Sequence, residues 1–297
     1  MTRKLLITGG TGTLGHAIVM SDWDYDITIY ARSELRLAEM KKRFPDIRTI
    51  IGDVRDYNKL QAAVVGHDLV IHAAAMKRIP ECEQSPRECF LTNIMGSEYV
   101  ARACFGRVEQ VVGISTDKAC QAITMYGASK LALESIFLAH SRASKDTTYS
   151  VVRYGNVVAS NGSIVPIWED QYTSGKSLTI TDKRMTRFWM SPFDAAKVIK
   201  ESMNHSGAIY VPKIAACKMT DLALHLFPDC RFAEIGFRSN EKLHENLISP
   251  DEFSVDEGDH FLVGVGSLGT NYTSLDAPRL DMDHFRSMLS DAQRIEK

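Results

Sequence analysis

Tyr126 and Lys130 stand four residues apart in Tyr126-Gly127-Ala128-Ser129-Lys130, where a stretch with helical spacing begins. On a helix this spacing puts both side chains on one face. A lysine ammonium next to a phenol lowers its pKa, and a phenol so tuned can exchange a proton with a substrate hydroxyl. Just upstream, beyond an apolar run, lies Ser115-Thr116-Asp117-Lys118. Thr116 offers a hydroxyl that can donate to or accept from the same substrate oxygen. Taken alone, a tyrosine and a lysine at this spacing are usually coincidence. Their meaning depends on what the chain places before them.

A proton-exchanging phenol oxidises a carbinol only if a hydride acceptor is bound nearby, and the N-terminus supplies a place for one. The first apolar run leads into Thr8-Gly9-Gly10-Thr11-Gly12-Thr13-Leu14-Gly15, and a helical pattern follows. Gly9, Gly12 and Gly15 permit a tight turn, close approach of backbone N–H groups to a pyrophosphate, and tight packing of helix on strand. Thr11, Thr13 and Leu14 complete the loop. Lys130 is then the expected contact to the nicotinamide ribose. The second apolar run ends in Tyr30-Ala31-Arg32-Ser33-Glu34. Arg32 and Ser33 put a cation and a hydroxyl where NAD-binding chains place a carboxylate, so NADP is the expected cofactor. The alternative has Arg32 solvated and Glu34 turned inward, which would suit NAD. Asp53 and Val54 after the third run fit an adenine clamp, the Asp53 carboxylate accepting from the exocyclic amine. Ala73, Ala74 and Ala75 after the fourth are small enough for a cofactor to lie against backbone. Asn93 is a candidate for steadying the catalytic lysine from inside a helix.

These residues require a scaffold of alternating strands and helices. Lys4–Thr8, Ile27–Tyr30, Arg48–Ile51, Leu69–His72, Gln110–Ile114 and Ser150–Tyr154 read as buried strands. Helical spacing covers Leu14–Met20, Glu34–Phe44, Tyr57–Val65, Thr92–Cys104 and Tyr126–Ser141. The alternation predicts an α/β fold, a Rossmann-type doubly wound parallel sheet with a smaller C-terminal substrate-binding lobe. Residues 1–162 form the expected dinucleotide domain, rejoined by 191–212. Residues 163–190 and 213–297 form the expected lobe, with a helix from Asp281 to the end. The 297 residues carry a formal net charge of −2, so no basic field argues for nucleic acid. The 6 cysteines stand singly without a CxxC pair, and the 9 histidines show no metal-ligand spacing, which predicts reduced thiols, no metal and the cytoplasm. No apolar run is long enough for membrane insertion.

With these motifs in order, the chain resembles the extended short-chain dehydrogenase/reductases. Within them it is similar to the soluble, C5-inverting UDP-N-acetylglucosamine 4,6-dehydratases of bacterial surface-sugar biosynthesis. The resemblance rests on Ile114–Ala119, Tyr126–Lys130, Arg153-Tyr154-Gly155-Asn156-Val157, Arg184-Met185-Thr186-Arg187-Phe188-Trp189 and Glu241-Lys242-Leu243-His244-Glu245. It implies a UDP-sugar substrate oxidised at C4, with Tyr126 taking the hydroxyl proton. It also implies that Lys118 removes the C5 proton and Asp117 protonates the departing C6 oxygen. A lysine base needs a depressed pKa, for which Lys130 and an oxidised nicotinamide are the expected nearby charges. By the same resemblance Asn156 approaches the pyrophosphate, Arg187 and Arg238 neutralise it, Lys77 touches the sugar and Glu241 lies in the substrate site. A homo-oligomer, dimer or larger, is implied as well. Two departures bear on the substrate: Ala119–Met125 lacks the family's usual proline, and Asn161 stands where an arginine is common. A 4-epimerase or 4-keto reductase of the same family needs Tyr126 and Lys130 but not Asp117-Lys118, so the pair favours dehydration. A non-catalytic cofactor-binding protein would be expected to have lost the tyrosine or lysine, and both are intact.

Overall fold

The computed structural model describes residues 2–21, 23–160, 163–237 and 240–296. The first half alternates β1 (Arg3–Thr8), α1 (Thr13–Met20), β2 (Tyr25–Ala31), α2 (Glu34–Arg43), β3 (Arg48–Ile51), α3 (Tyr57–Val64) and β4 (Leu69–His72). Two short helices follow, α4 (Ile79–Gln84) and α5 (Pro86–Cys89). A π-helical turn (Phe90–Met95) then leads into α6 (Gly96–Cys104), β5 (Gln110–Ile114), the long α7 (Met125–Ala143) and β6 (Thr148–Val152). Beyond these come β7 (Asn156–Val157), α8 (Ile164–Thr173), β8 (Leu178–Ile180), β9 (Thr186–Met190), α9 (Pro192–Ser202) and β10 (Ile209–Pro212). The remainder is β11 (Ala216–Lys218), α10 (Met219–Leu226), β12 (Phe232–Glu234), β13 (Asn246–Ile248), β14 (Ser254–Asp256), β15 (His260–Val263), β16 (Tyr272–Thr273) and α11 (Met282–Glu296).

The main sheet has nine strands in the order β14-β15-β10-β6-β5-β4-β1-β2-β3. From β3 to β10 every pairing is parallel. Strand side chains alternate between two buried faces. Leu6, Val70, Val111 and Val151 pack with Leu60, Val100 and Phe137 from α3, α6 and α7. Leu5, Ile7, Ile71 and Val112 pack with Ile18, Met40 and Ile199 from α1, α2 and α9. Burial of each such side chain is worth about 1.5–3 kcal/mol, which drives the two helical layers onto the sheet. Strand order reverses between β1 and β4, and ligands of such sheets bind outside the carboxyl ends at that point.

The lobe has its own core around Trp168, Leu178, Trp189, Leu222 and Phe285. Its strands form a three-stranded sheet, β11-β9-β7, and two pairs, β12-β8 and β13-β16. Two segments lie elsewhere than the sequence pattern suggests. The hairpin β14–β15, expected in the lobe, pairs antiparallel with β10 and lengthens the main sheet. Asn156 and Val157, expected in the first domain, pair with β9. The sixth strand also ends at Val152 rather than Tyr154. Past that point the Tyr154 carbonyl accepts from the Asp117 N–H at 2.9 Å, and the Arg153 side chain turns inward.

Arg153 is fully buried and uses all five of its N–H donors. Nε and Nη2 reach the two Glu134 oxygens of α7 at 2.9 and 2.7 Å. Nη2 and Nη1 reach the two Glu252 oxygens at 2.7 and 3.0 Å, and Nη1 also donates to the Leu247 carbonyl at 2.9 Å. One guanidinium thus ties β6, α7 and the segment before β14 together. Arg153→Ala should lower unfolding stability by about 3–5 kcal/mol, because it strands two carboxylates, one of them deep in the core. Denaturant unfolding measures this, and a loss below about 1 kcal/mol would show that the junction does not depend on the arginine.

Candidate active site

A cleft of about 1120 Å³ opens at the strand-order reversal and runs into the lobe. The turn from β1 forms its floor. Gly9 has φ +72°, and a Cβ there would stand 2.6 Å from the Ala74 backbone, so only glycine lets the first turn lie against the segment after β4. Gly9, Thr11, Gly12, Thr13 and Leu14 line the cleft, facing Ala73, Ala74 and Ala75. Gly15 is buried beneath them against Gly10. Arg32 and Ser33 line the cleft at the end of β2. The Ser33 hydroxyl caps α2 by accepting from the Arg36 N–H at 3.3 Å. The turn that Ser33 starts brings Arg36 to the same wall. Its spacing of four from Arg32 was the legible signal for a second cation, and sequence reading passed it over. These small residues, the helix start and the exposed arginines fit a nicotinamide dinucleotide.

Asp53, expected as an adenine acceptor, is not a free carboxylate. Arg55, two residues on, holds its carboxylate at 2.6 and 2.9 Å, and Gly52 and Val54 face the cleft instead. Asn93 is also differently employed. From the π-helical turn it bonds Met76 N–H and C=O, both at 2.8 Å, and donates to the Ser129 hydroxyl at 2.9 Å. It therefore fixes the segment next to Lys77 and the residue next to Lys130, rather than the lysine itself.

Thr124 caps α7 through the Gly127 N–H at 2.9 Å. A Cβ at Gly127 would lie 2.2 Å from the Lys118 carbonyl, so glycine lets the loop after β5 rest on the helix start. This contact brings Thr116, Lys118, Tyr126 and Lys130 to one stretch of the wall. Lys130 is buried and donates to the Ile114 carbonyl at 2.7 Å. Burial pulls its pKa down to about 8, against the opposing charge of Glu134. Burial and the Asp117 charge raise the Tyr126 phenol, while a hydrogen bond with Thr116 works the other way. Lys130, which the sequence places as the group that lowers the phenol, instead donates to a main-chain carbonyl, and the net effect on Tyr126 is a rise.

Asp117 is wholly buried behind this wall. Its Oδ1 accepts from Lys118 Nζ at 2.8 Å and from the Thr116 hydroxyl at 2.9 Å. Lys118 is thus the member of the pair that meets the cleft, and Asn156 Oδ1 also accepts from its Nζ at 3.3 Å. Burial opposes the charge on Lys118, but the carboxylates of Asp117 and Glu245 outweigh both that and Arg187, and its pKa rises. The depressed lysine expected from Lys130 is therefore absent: two carboxylates lie closer than any cation. Lys77, Asn156, Arg187 and Glu241 also line the cleft. Arg187, expected at a phosphate, spends its fork on the carbonyls of Thr186, Lys242 and Leu243 at 2.7–3.1 Å, stapling the 241–245 loop to β9. Glu241 accepts from the Thr181 hydroxyl at 3.2 Å. Arg238 lies outside the described residues.

Residues 5–263 match the family model for polysaccharide biosynthesis proteins. The chain belongs to that family. A UDP-N-acetylglucosamine 4,6-dehydratase (inverting) from Campylobacter jejuni is 45% identical over 262 residues, covering 84% of this chain and 78% of the relative. A UDP-glucose 4-epimerase from Rickettsia bellii is 37% identical over 290 residues, covering 91% and 85%. The X-ray structure of Pen from Bacillus thuringiensis superposes with a TM-score of 0.88 at 30% identity, covering 98% of each chain. The doubly wound fold and the family resemblance read from the sequence are both borne out. Among the described residues, no helix is long and apolar enough to cross a membrane.

Proposed function

We propose that this family member is a nucleotide-sugar 4,6-dehydratase that acts on UDP-N-acetylglucosamine, inverts C5 and uses NADP. The observation that carries the reading is the Asp117–Lys118 ion pair at 2.8 Å, which presents Lys118 to the same cleft as Tyr126, Thr116 and Lys130. Oxidation at C4 needs only the last three. An added acid–base pair has work to do when a proton must leave carbon and an oxygen must leave with one. The names of the relatives divide between dehydratase and 4-epimerase, and the pair is what favours the former.

A bound nicotinamide dinucleotide supplies the hydride acceptor for C4 and returns the hydride to C6. The protein's own groups handle every proton. As its phenolate, Tyr126 accepts the C4 hydroxyl proton, with Thr116 hydrogen-bonded to it and the positive charges of Lys130 and an oxidised nicotinamide favouring the ionised form. The C4 ketone so formed acidifies the C5 proton. Transfer of one proton from Lys118 to Asp117 across their contact leaves a free amine facing the cleft and a carboxylic acid behind it. The amine takes the C5 proton, and the pair gives a proton to the departing C6 oxygen, which leaves as water. Arg32 and Arg36 are the groups proposed to hold the 2′-phosphate, since an arginine fork matches phosphate oxygens. Gly9 through Leu14 would hold the pyrophosphate, and Lys77, Asn156 and Glu241 would border the sugar nucleotide.

Incubation with UDP-N-acetylglucosamine should give a product lighter by one water, read by mass spectrometry, and UDP-glucose should give far less. Lys118→Ala should retain cofactor and lose water release by roughly 10²–10⁴-fold, the range for a positioned acid–base group. Product of unchanged mass from the parent would make the chain an epimerase or reductase. Arg32→Ala should weaken NADP retention by about 1.5–3 kcal/mol while leaving NAD retention nearly unchanged, as befits one charged hydrogen bond. Equal losses for both cofactors would remove the NADP assignment.

A further inference from the structure

Glu245 closes the Glu241–Glu245 motif, yet the chemistry above gives it nothing to do. Its main chain is clamped to Ser274: the Glu245 N–H donates to the Ser274 hydroxyl at 2.9 Å, and the Ser274 N–H donates to its carbonyl at 2.8 Å. The side chain is buried and points at three cations. Lys118 Nζ lies 3.7 Å from Oε1, Arg187 Nε 3.9 Å from Oε1, and Lys242 Nζ 3.9 Å from Oε2. Oε2 is buried without a hydrogen-bond partner. A buried carboxylate left unpaired in this way is costly unless neighbouring charge compensates it. Two of the three cations are spoken for: Arg187 by main-chain carbonyls, and Lys242 by the Cys120 carbonyl at 2.6 Å. Lys118 lines the cleft as Arg187 does, but no main-chain carbonyl engages its Nζ, and a second carboxylate, Asp117, lies 2.8 Å away on its other side.

We propose that Glu245 is a positioning residue for elimination, the rear member of an Asp117–Lys118–Glu245 row that keeps Lys118 an ammonium at rest and holds it against Asp117. This deepens the dehydratase reading and rests on it for its purpose. The groups facing Glu245 are Lys118 from the loop after β5, Arg187 from β9 and Lys242 from its own loop. Asp117 and Glu241 stand behind Lys118 and Arg187, and the neighbouring His244 ring is engaged with the Thr186 hydroxyl at 2.8 Å. Three carboxylates therefore meet three cations, and removal of Glu245 falls on Lys118, the nearer of the two lysines that it faces. The raised pKa of Lys118, to which Glu245 contributes, agrees with this arrangement.

The test reads Lys118 itself. The full-length protein is reductively methylated with ¹³C-formaldehyde, the Lys118 signal is assigned by its loss in Lys118→Arg, and its midpoint is followed by NMR as pH rises. Glu245→Gln should lower that midpoint by roughly one to three pH units, the usual effect of one adjacent opposite charge. Lys242→Met removes a cation competing for Glu245 and should raise the midpoint, so a second variant carries the test if Glu245→Gln fails to fold. Glu245→Asp should hold near the parent. An unmoved midpoint in a folded Glu245→Gln, or in Lys242→Met, overturns the proposal. The titration needs no substrate, so it stands or falls separately from the mass assay for water loss.

Discussion

The fold brings its functional parts together through one buried cation. Arg153 follows the last residue of β6, a strand end at the floor of the cleft, and its fork is filled by Glu134, Glu252 and the Leu247 carbonyl. Glu134 lies one helical turn beyond Lys130 on α7, and it also accepts from the Ser115 hydroxyl at 2.5 Å. The loop that presents Thr116 and Lys118, the helix that presents Tyr126 and Lys130, and the chain returning from the lobe therefore share one electrostatic anchor. Lysine could not replace it, because a point charge has no planar fork for two carboxylates. Glu134 also acts on the chemistry, since its charge opposes the burial that depresses Lys130.

Around this anchor the wall is arranged by charge balance. Tyr126 and Lys130 are each pushed toward their neutral forms by burial, whereas Lys118 is held charged by Asp117 and Glu245. The three groups proposed to handle protons are thus tuned in different directions within one cleft. That separation suits the proposed oxidation at one carbon and elimination at the next. In the proposed reaction Asp117, though fully buried, need not touch the sugar, only receive from Lys118.

Much of this was legible in the residues. Alternation of apolar runs with helical spacing locates the parallel strands, and glycines between β1 and α1 mark the cradle. The Tyr126–Lys130 spacing and the Asp117–Lys118 pair fall together because Gly127 admits the loop, a contact that the glycine's place in the motif foreshadows. What escaped reading were partners set by distant segments. Arg55 stands two residues from Asp53 and that pairing was open to reading, but nothing local to Arg187 says that it will spend its donors on the 241–245 loop. The charge on Lys118 was misjudged for the same reason, since Glu245 is 127 residues away in sequence and adjacent only once the lobe has folded. The hairpin β14–β15 was assigned to the lobe because its two short antiparallel strands break the strand–helix rhythm that marks the main sheet.

The claim on which the account turns is that a proton leaves C5 of the sugar and is later replaced from solvent. Run in heavy water with UDP-N-acetylglucosamine, the parent protein should give a 4-keto-6-deoxy product carrying deuterium at C5, with the hydrogen delivered to C6 coming from C4 rather than from solvent, as read by NMR. A product with no deuterium at C5, or recovered sugar altered only at C4, would contradict it.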